Sequence, residues 1–369
     1  MEWLFKPDPD QKKVLALSEE LGIGELLCEL LVQRDIDSFE KARQFFRPAL
    51  DELHDPFLMK DMDIAVKRID KALKNNEKIL IYGDYDVDGT SAVSLVYSYL
   101  QKLHDQVATY IPDRYSEGYG ISYTGIDFAS DNEIDLVIAL DCGIKAIEKI
   151  RYAQKKGIDF IVCDHHRPGD ELPEAVAVLN PKREDCLYPY DELCGCGIGF
   201  KLIQALSKSQ ERPDEEVYPF LDLVATAIAA DIVPITGENR ILAHYGMKVI
   251  NEGPRPGIHA LLKSSNKELL TITDVVFTIA PRINAAGRME HGQFAVDLLT
   301  EKDPSKASQM AEDIDSFNLS RREMDASITQ EALEQIEQKN EKESFSTVVY
   351  DENWHKGVIG IVASRLIET

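Results

Sequence analysis

The sequence predicts an α/β fold: a doubly wound, mainly parallel sheet, with a helical N-terminal segment, a long connecting helix and the start of a second α/β domain. Three observations carry this. From about residue 62, short apolar runs alternate with segments of helical periodicity. The runs are continuous in Val, Ile and Leu, as strands covered on both faces are. Three of them lead into aspartate, two directly and one across a single glycine, where open parallel sheets build their ligand sites.

The elements follow in order. Residues 1–55 read as a helical N-terminal segment, because Leu15, Leu17, Leu21, Leu26, Leu27, Leu30 and Leu31 recur at helical spacing and Gly22 and Gly24 interrupt them. The sheet domain is expected over 56–302. In it, helix 62–74 leads to strand 78–82 and helix 90–103 leads to strand 107–111. Strand 135–140, helix 144–156, strand 159–163 and strand 176–179 follow. Residues 196–209 and 216–232 read as largely apolar helices, the second carrying Asp222 and Asp231 and ending before Pro234. From Ser305 to about Gln338 the chain is polar and nearly free of Gly and Pro, which predicts a long exposed helix in a connector at 303–340. Phe345-Ser346-Thr347-Val348-Val349-Tyr350 is expected to open a strand of a second domain at 341–369.

Composition narrows the function. The 369 residues suit about two domains. With 41 Lys+Arg against 65 Asp+Glu the formal charge is -24, which argues against a general nucleic-acid-binding surface and leaves room for binding through metal and a local basic groove. No apolar run is long enough to span a membrane, and the first residues lack the pattern of a signal peptide, so a cytoplasmic protein is expected. Cys28, Cys142, Cys163, Cys186, Cys194 and Cys196 form no C-x-x-C pair and read as small thiols in a reducing compartment.

The chemistry concentrates at strand ends. Strand 78–82 runs into Gly83-Asp84-Tyr85-Asp86-Val87-Asp88-Gly89. Three carboxylates this close repel one another unless a cation neutralises them. A calcium-binding EF-hand loop opens the same way, but its twelfth position should be Glu and here is Leu95, and a strand stands where a helix should precede. Asp141 follows the apolar run 136–140, and Asp164-His165-His166 follows Phe160-Ile161-Val162-Cys163. A parallel sheet puts these ends on one edge, and Asp231 can join them from its helix. Carboxylates with imidazole suit Mn²⁺ or Mg²⁺ better than a thiolate-rich structural zinc site. A shared aspartate with ligands on either side suggests two ions, and phosphoester hydrolysis is the natural reaction class. Cys194-Gly195-Cys196-Gly197-Ile198-Gly199 opens a helix and reads either as a phosphate cradle or as close helix–strand packing.

With these residues in place the chain resembles the DHH phosphoesterase superfamily, through Gly-Asp-Tyr-Asp-Val-Asp-Gly-Thr-Ser-Ala, Asp-Cys-Gly-Ile, Asp-His-His and Ala-Ala-Asp-Ile-Val-Pro. Within it the chain is similar to the bacterial exonucleases specific for single-stranded DNA. Residues 111–120 (Ile-Pro-Asp-Arg-Tyr-Ser-Glu-Gly-Tyr-Gly), Gly237-Glu238-Asn239-Arg240, residues 281–288 (Pro-Arg-Ile-Asn-Ala-Ala-Gly-Arg), residues 354–363 and His54-Asp55-Pro56-Phe57 carry that finer likeness.

The resemblance implies 5′→3′ degradation of single-stranded DNA to 5′-mononucleotides in recombination and repair, with a helicase or single-strand-binding protein as a partner. It implies that Asp84, Asp86 and Asp141 hold one ion, and that Asp88, Asp141, His165 and Asp231 hold the other. The closer ligand of Asp84 and Asp86 stays open. Asp164 would orient a ligand, and His166 would lie near the scissile phosphate. Arg114, Arg282 and Arg288 are fork-shaped phosphate donors, each with a surface ion pair as the alternative. Tyr115 and Tyr119 would stack bases or pack. Asn284 would bind a phosphate or fix its loop, and His355 would face the cleft from the second domain. DHH enzymes that cleave short oligonucleotides, cyclic dinucleotides or polyphosphate share the metal core, and a non-catalytic partner-binding protein is the alternative outside enzymes. Such exonucleases continue into a complete DHHA1-type domain and an OB-fold, whereas this chain stops at Thr369. The expectation is a chain that binds Mn²⁺ yet degrades single strands poorly.

Overall fold

The computed structural model describes residues 4, 6–263, 267–340 and 344–368. Its centre is a five-stranded sheet of β1 (Ile79–Gly83), β2 (Val107–Tyr110), β3 (Leu136–Leu140), β4 (Asp159–Cys163) and β5 (Ala177–Leu179), ordered β2-β1-β3-β4-β5. All four pairings are parallel. The order reverses between β1 and β3, and such a switch point opens a crevice at the carboxyl edge.

Side-chain alternation divides the core. Ile79, Ile81, Ile138, Leu140, Ile161 and Cys163 face one layer, with helices Met62–Asn75, Val87–Leu100, Gly195–Ser209 and Leu221–Ala230. Leu80, Tyr82, Val137, Ala139, Phe160 and Val162 face the other, with helices Tyr123–Asp131 and Ile147–Lys155. A separate small core of Val14, Leu17, Cys28, Leu31, Ile36 and Ala42 holds the N-terminal helices, while Leu15, Leu26, Leu27 and Leu30 stay exposed. Arg240 fastens this segment to the body: its Nε donates to the Phe45 carbonyl at 2.6 Å and its guanidinium lies 3.6 Å from the Phe45 ring centroid.

Some elements differ from expectation. The helix expected from 90 begins at Val87, because the Asp86 carboxylate caps it by accepting the Gly89 N–H at 3.0 Å. The apolar run at 216–232 breaks into 3₁₀ turns before helix Leu221–Ala230, with Pro219 inside the second turn. Helices Tyr123–Asp131, Gly237–Glu252, Pro256–Leu262, Ala280–Met289 and Gln293–Thr300 had no sequence assignment. The connector helix runs Pro304–Gln338, started by the Asp303 cap and Pro304. It is not exposed throughout: Ala307, Ala311 and Ile314 join the main core, and Ile328 and Ala332 pack on Val358 and Val362. Residues 346–350 form no strand and pair with none of the five described strands. Hydrogen bonds from Tyr350 N–H to Gln335 Oε1 and from Lys339 Nζ to the Val348 carbonyl hold them on the long helix instead. No described helix is long and apolar enough to cross a membrane.

Two of the motifs join in one buried clasp. Lys201, fully buried, reaches Glu238 Oε1 at 2.6 Å and donates to the His54 carbonyl at 3.0 Å. Glu238 also accepts the His54 N–H at 2.9 Å and the Tyr188 hydroxyl at 2.6 Å. His54 and Glu238 are therefore scaffold, tying the N-terminal segment to the helices behind the sheet.

Candidate metal centre

Register builds the centre. Gly83 pairs with Leu140, Leu140 with Cys163, and Cys163 with Leu179. The residues that follow, Asp84, Asp141, Asp164 and Asn180, thus leave four neighbouring strands at the same level. Asp86 and Asp88 enter from the first turn of helix Val87–Leu100, and Asp231 from the end of helix Leu221–Ala230. Gly89 permits this closeness: a Cβ there would lie 2.5 Å from the Asp84 carbonyl oxygen.

His165 is the hub. Its Nε2 lies 3.2 Å from Asp141 Oδ1, 3.6 Å from Asp231 Oδ2 and 3.8 Å from Asp88 Oδ2. Asp88, His165 and Asp231 form one ligand-competent group, and Asp141, His165 and His166 a second. Asp84 and Asp86 join neither group, although both carboxylates act on Asp141 electrostatically. Asp141 adopts φ 57°, a left-handed conformation that Asp tolerates better than most residues and that turns it out of the strand direction.

The polar atoms here lack the partners that a folded interior normally supplies. Both Asp84 carboxylate oxygens, Asp141 Oδ1, Asp231 Oδ2 and both ring nitrogens of His165 are buried without a hydrogen bond. Burial and the Asp86 charge push the Asp84 carboxyl up to about 7, against the pull of Arg114 and of the Tyr85 and Gly120 amides, which lie outside hydrogen-bonding geometry. Burial and Asp86 likewise raise Asp231 to about 6, and burial with the neighbouring His166 lowers His165 to about 4. Asp88 and Asp141 are raised well above the carboxylate range by burial and by each other's acidic neighbours. Burying one unpaired ion costs several kcal/mol even after relaxation. Three carboxylates gathered on one neutral imidazole, with Asp84 unpartnered beside them, fit hard divalent cations.

The surroundings fix these ligands. Asp88 accepts the Gly195 and Cys196 N–H groups at 2.6 and 2.7 Å, at the start of helix Gly195–Ser209. The Gly-rich turn is thus no free phosphate cradle. Its first amides hold Asp88, and a Cβ at Gly195 would lie 2.6 Å from the Asp141 Cβ, so close packing explains the glycine. Asp164 accepts the Ile144 N–H at 2.9 Å and lies 2.8 Å from His166 Nδ1. Burial opposes its ionisation, but these partners outweigh burial and lower its carboxyl, and the same bond raises His166. Asn180, fully buried, donates to the His166 carbonyl at 2.8 Å and accepts the Lys182 N–H at 2.8 Å. Sequence reading missed Asn180. Its signal was weak: a neutral amide after a strand of three residues.

The remaining candidates separate. The loop after β2 is shaped by Asp113, which accepts the Tyr115 and Ser116 N–H groups, and by Glu117, which accepts the Tyr110 hydroxyl. It presents Tyr119, whose hydroxyl lies 3.3 Å from His166 Nε2, and Arg114, whose guanidinium lies 4.7 Å from the Tyr85 ring centroid. Arg288 donates to the Gly357 carbonyl at 3.0 Å, and burial and Arg114 lower its pKa. Neither Arg114 nor Arg288 pairs with a carboxylate among the described residues. Tyr115 donates to the Arg288 carbonyl, and its ring stands 5.6 Å from that of His355. His355 accepts the Gly357 N–H at 3.2 Å, so it belongs to the arginine group and not to the aspartates. Arg282 is drawn to Asp315 of the long helix and to the Thr278 carbonyl. Asn284 makes no side-chain hydrogen bond among the described residues. Asp222, set aside from the sequence, binds Arg255 through both oxygens and is structural.

Comparison with known proteins agrees with this geometry. Residues 78–228 match the DHH family, N-terminal domain. The single-stranded-DNA-specific exonuclease RecJ of Bacillus subtilis is 41% identical over 370 residues, covering 100% of this chain and 46% of that protein. The Escherichia coli RecJ is 36% identical over 320 residues, 82% of this chain and 56% of that protein. The chain thus spans about half the length of the curated relatives it matches. A crystal structure of exonuclease RecJ bound to manganese superposes with a TM-score of 0.78 at 30% identity, over 87% of this chain and 79% of that one. RecJ of Thermus thermophilus in complex with Mn²⁺ gives 0.84 at 26% identity, over 98% of this chain and 51% of that one. Sheet order, strand-end acids and sequence identity converge: the chain belongs to the RecJ family of DHH proteins.

Proposed function

We propose that this chain carries the metal-dependent phosphodiesterase centre of an exonuclease that releases 5′-mononucleotides from the 5′ end of single-stranded DNA. The observation that carries the reading is the pair of buried, unpartnered oxygens of Asp141 and Asp231 beside the His165 ring, with both oxygens of Asp84 buried and unpartnered at the next strand end. Asp88, Asp141, His165 and Asp231 would hold one Mn²⁺ or Mg²⁺, and Asp84, Asp86 and Asp141 a second. Of the last group Asp84 is the freer ligand, since Asp86 spends one oxygen on its helix cap. Bound divalent ions supply hydroxide at neutral pH and stabilise charge on the phosphate.

The chain's own residues do the rest. Asp164 holds the His166 ring with its raised affinity for a proton beside the scissile phosphate, where it can donate to an oxygen. Arg114 and Arg288, free of carboxylates, grip the phosphates that follow. Tyr119 stands where a base can stack. Residues 56–302 form the catalytic unit in this reading, 303–340 the connector, and 341–369 part of a DHHA1-type unit. A cytoplasmic site of action and a helicase or single-strand-binding partner belong to the same proposal.

The test is Mn²⁺-dependent release of mononucleotides from a 5′-phosphorylated single strand, set beside a duplex and a dinucleotide. Release from the single strand that disappears in Asp141→Ala supports the reading. Preference for the dinucleotide would move the chain to the DHH enzymes of short substrates.

A further inference from the structure

One residue at the rim of the centre is costly to the free protein. Ile232 follows Asp231 directly, and it adopts φ 59° with its side chain 92% exposed. Eight described residues other than glycine have positive φ: Asp35, Asp61, Asn76, Glu133, Asp141, Glu211, Ile232 and Asn340. Only Ile232 is β-branched, and for that side chain the left-handed region is a true outlier. The position just past a helix end commonly takes this conformation, but with Gly or Asn.

The turn is held from both sides. The Asp231 N–H donates to the Ala227 carbonyl at 3.0 Å, which keeps Asp231 on the helix. Val233 packs against the main core, and Pro234 restrains it to extended backbone. The Pro234 carbonyl accepts the Asn239 amide at 3.0 Å and the Tyr190 hydroxyl at 3.2 Å, and Asn239 is fully buried. Such over-determination is how strained residues persist, and they gather at ligand sites. The backbone need would be met by glycine. The exposed branched side chain adds strain and wet apolar surface, so its use lies outside the free protein.

We infer that Ile232 is a substrate-contacting residue: an apolar rest for the unpaired nucleobase beside the phosphate at the metal centre that Asp231 helps to form. The inference rests on the nuclease reading and deepens it. A single strand can turn a bare, apolar base face to that place, whereas a base inside a duplex has its faces covered by stacking and a polyphosphate has none.

The experiment measures binding of the full chain, in Mn²⁺, to a phosphorothioate-protected oligo(dT) and to the same oligomer with an abasic 5′-terminal nucleotide. Ile232→Gly and Ile232→Asn are compared with the parent. Both variants should weaken binding of the oligo(dT) about fivefold, the loss expected for about one buried methylene, and leave the abasic oligomer within about twofold. Relief of strain should raise the thermal midpoint of Ile232→Gly by about 1–3 °C, which separates the effect from misfolding. Unchanged oligo(dT) affinity in both variants overturns the base contact alone. Equal losses on the two oligomers also overturn it. A parent chain that binds neither oligomer overturns the nuclease reading, and the base contact falls with it.

Discussion

Buried charge occurs in two regions of this molecule and is handled in opposite ways. In the clasp behind the sheet, Lys201 and Glu238 are 0% and 1% exposed, and each finds its counter-charge and further hydrogen bonds within the chain. In the centre at the sheet edge, Asp84, Asp88 and Asp141 are as deeply buried, yet no described lysine or arginine pairs with them. The first region is complete as folded. The second is built with a deficit of positive charge that something outside the chain must fill. Desolvation alone therefore does not mark a functional site. Desolvation without compensation does.

The contrast can be broken in four places. The largest effect is expected in the clasp. Lys201→Met leaves Glu238 buried without its cation and should cost about 3–5 kcal/mol of folding stability, read from urea unfolding. A loss below about 1 kcal/mol would mean that the Lys201 contact does not hold the clasp together. Next is the cation itself. Mn²⁺ at about a hundredfold its dissociation constant should stabilise the folded chain by about 2.7 kcal/mol. Asp141→Asn should remove most of that gain, and an unchanged metal response in this variant would sink the assignment of Asp141 as a ligand.

In the metal-free protein the same kind of change should act in reverse. Asp84→Asn relieves repulsion and should raise stability at pH 8 by about 1–3 kcal/mol, given that a tenfold change in proton affinity is worth about 1.4 kcal/mol. Removing a partner from the clasp destabilises, whereas removing a charge from the centre stabilises, and a melt in EDTA compares the two directly. The pH response is the smallest effect. Folded Asp84 and Asp231 titrate near 7 and 6, above their unfolded values. Between pH 8 and about 6 the folded state thus binds protons that the unfolded chain does not, and metal-free stability should rise as pH falls. His165, lowered to about 4, opposes this below about 6.5, because only the unfolded imidazole takes the proton there. The rise should flatten near that point and vanish in Mn²⁺. A melting temperature in EDTA that falls steadily from pH 8 to 6 would contradict the picture.

What the sequence made legible follows from the same physics. Asp84, Asp141 and Asp164 stood out because a buried strand is a continuous apolar run, and its first acidic residue is conspicuous. His165 was readable for the same reason. The parallel, doubly wound sheet needed only the alternation of strands and helices, whereas its strand order was visible only in the structure. For Arg282 the choice between phosphate donor and ion pair stayed open in the sequence, because its partner, Asp315, lies 33 residues away on a helix whose docking no local pattern reveals. Gly195 and Cys196 read as either a phosphate cradle or close packing, the first because a helix N-terminus attracts anions. It does here too, but the anion is Asp88. The strand expected at 345–350 had the right composition and no described neighbour to pair with.

The shared register of β1, β3, β4 and β5 has a consequence for how such a centre can change. Neighbouring strands stand about 4.8 Å apart, close to the roughly 3.5–4 Å between the ions of two-metal sites. The lattice of the sheet is therefore the gauge block of the active site: it fixes the ligand spacing before any side chain chooses a rotamer. One residue inserted within β3 would keep the composition and most of the core, yet it would carry Asp141 off its level and turn the strand's faces over. Substitutions can tune this centre, but changes of length within its strands should erase it.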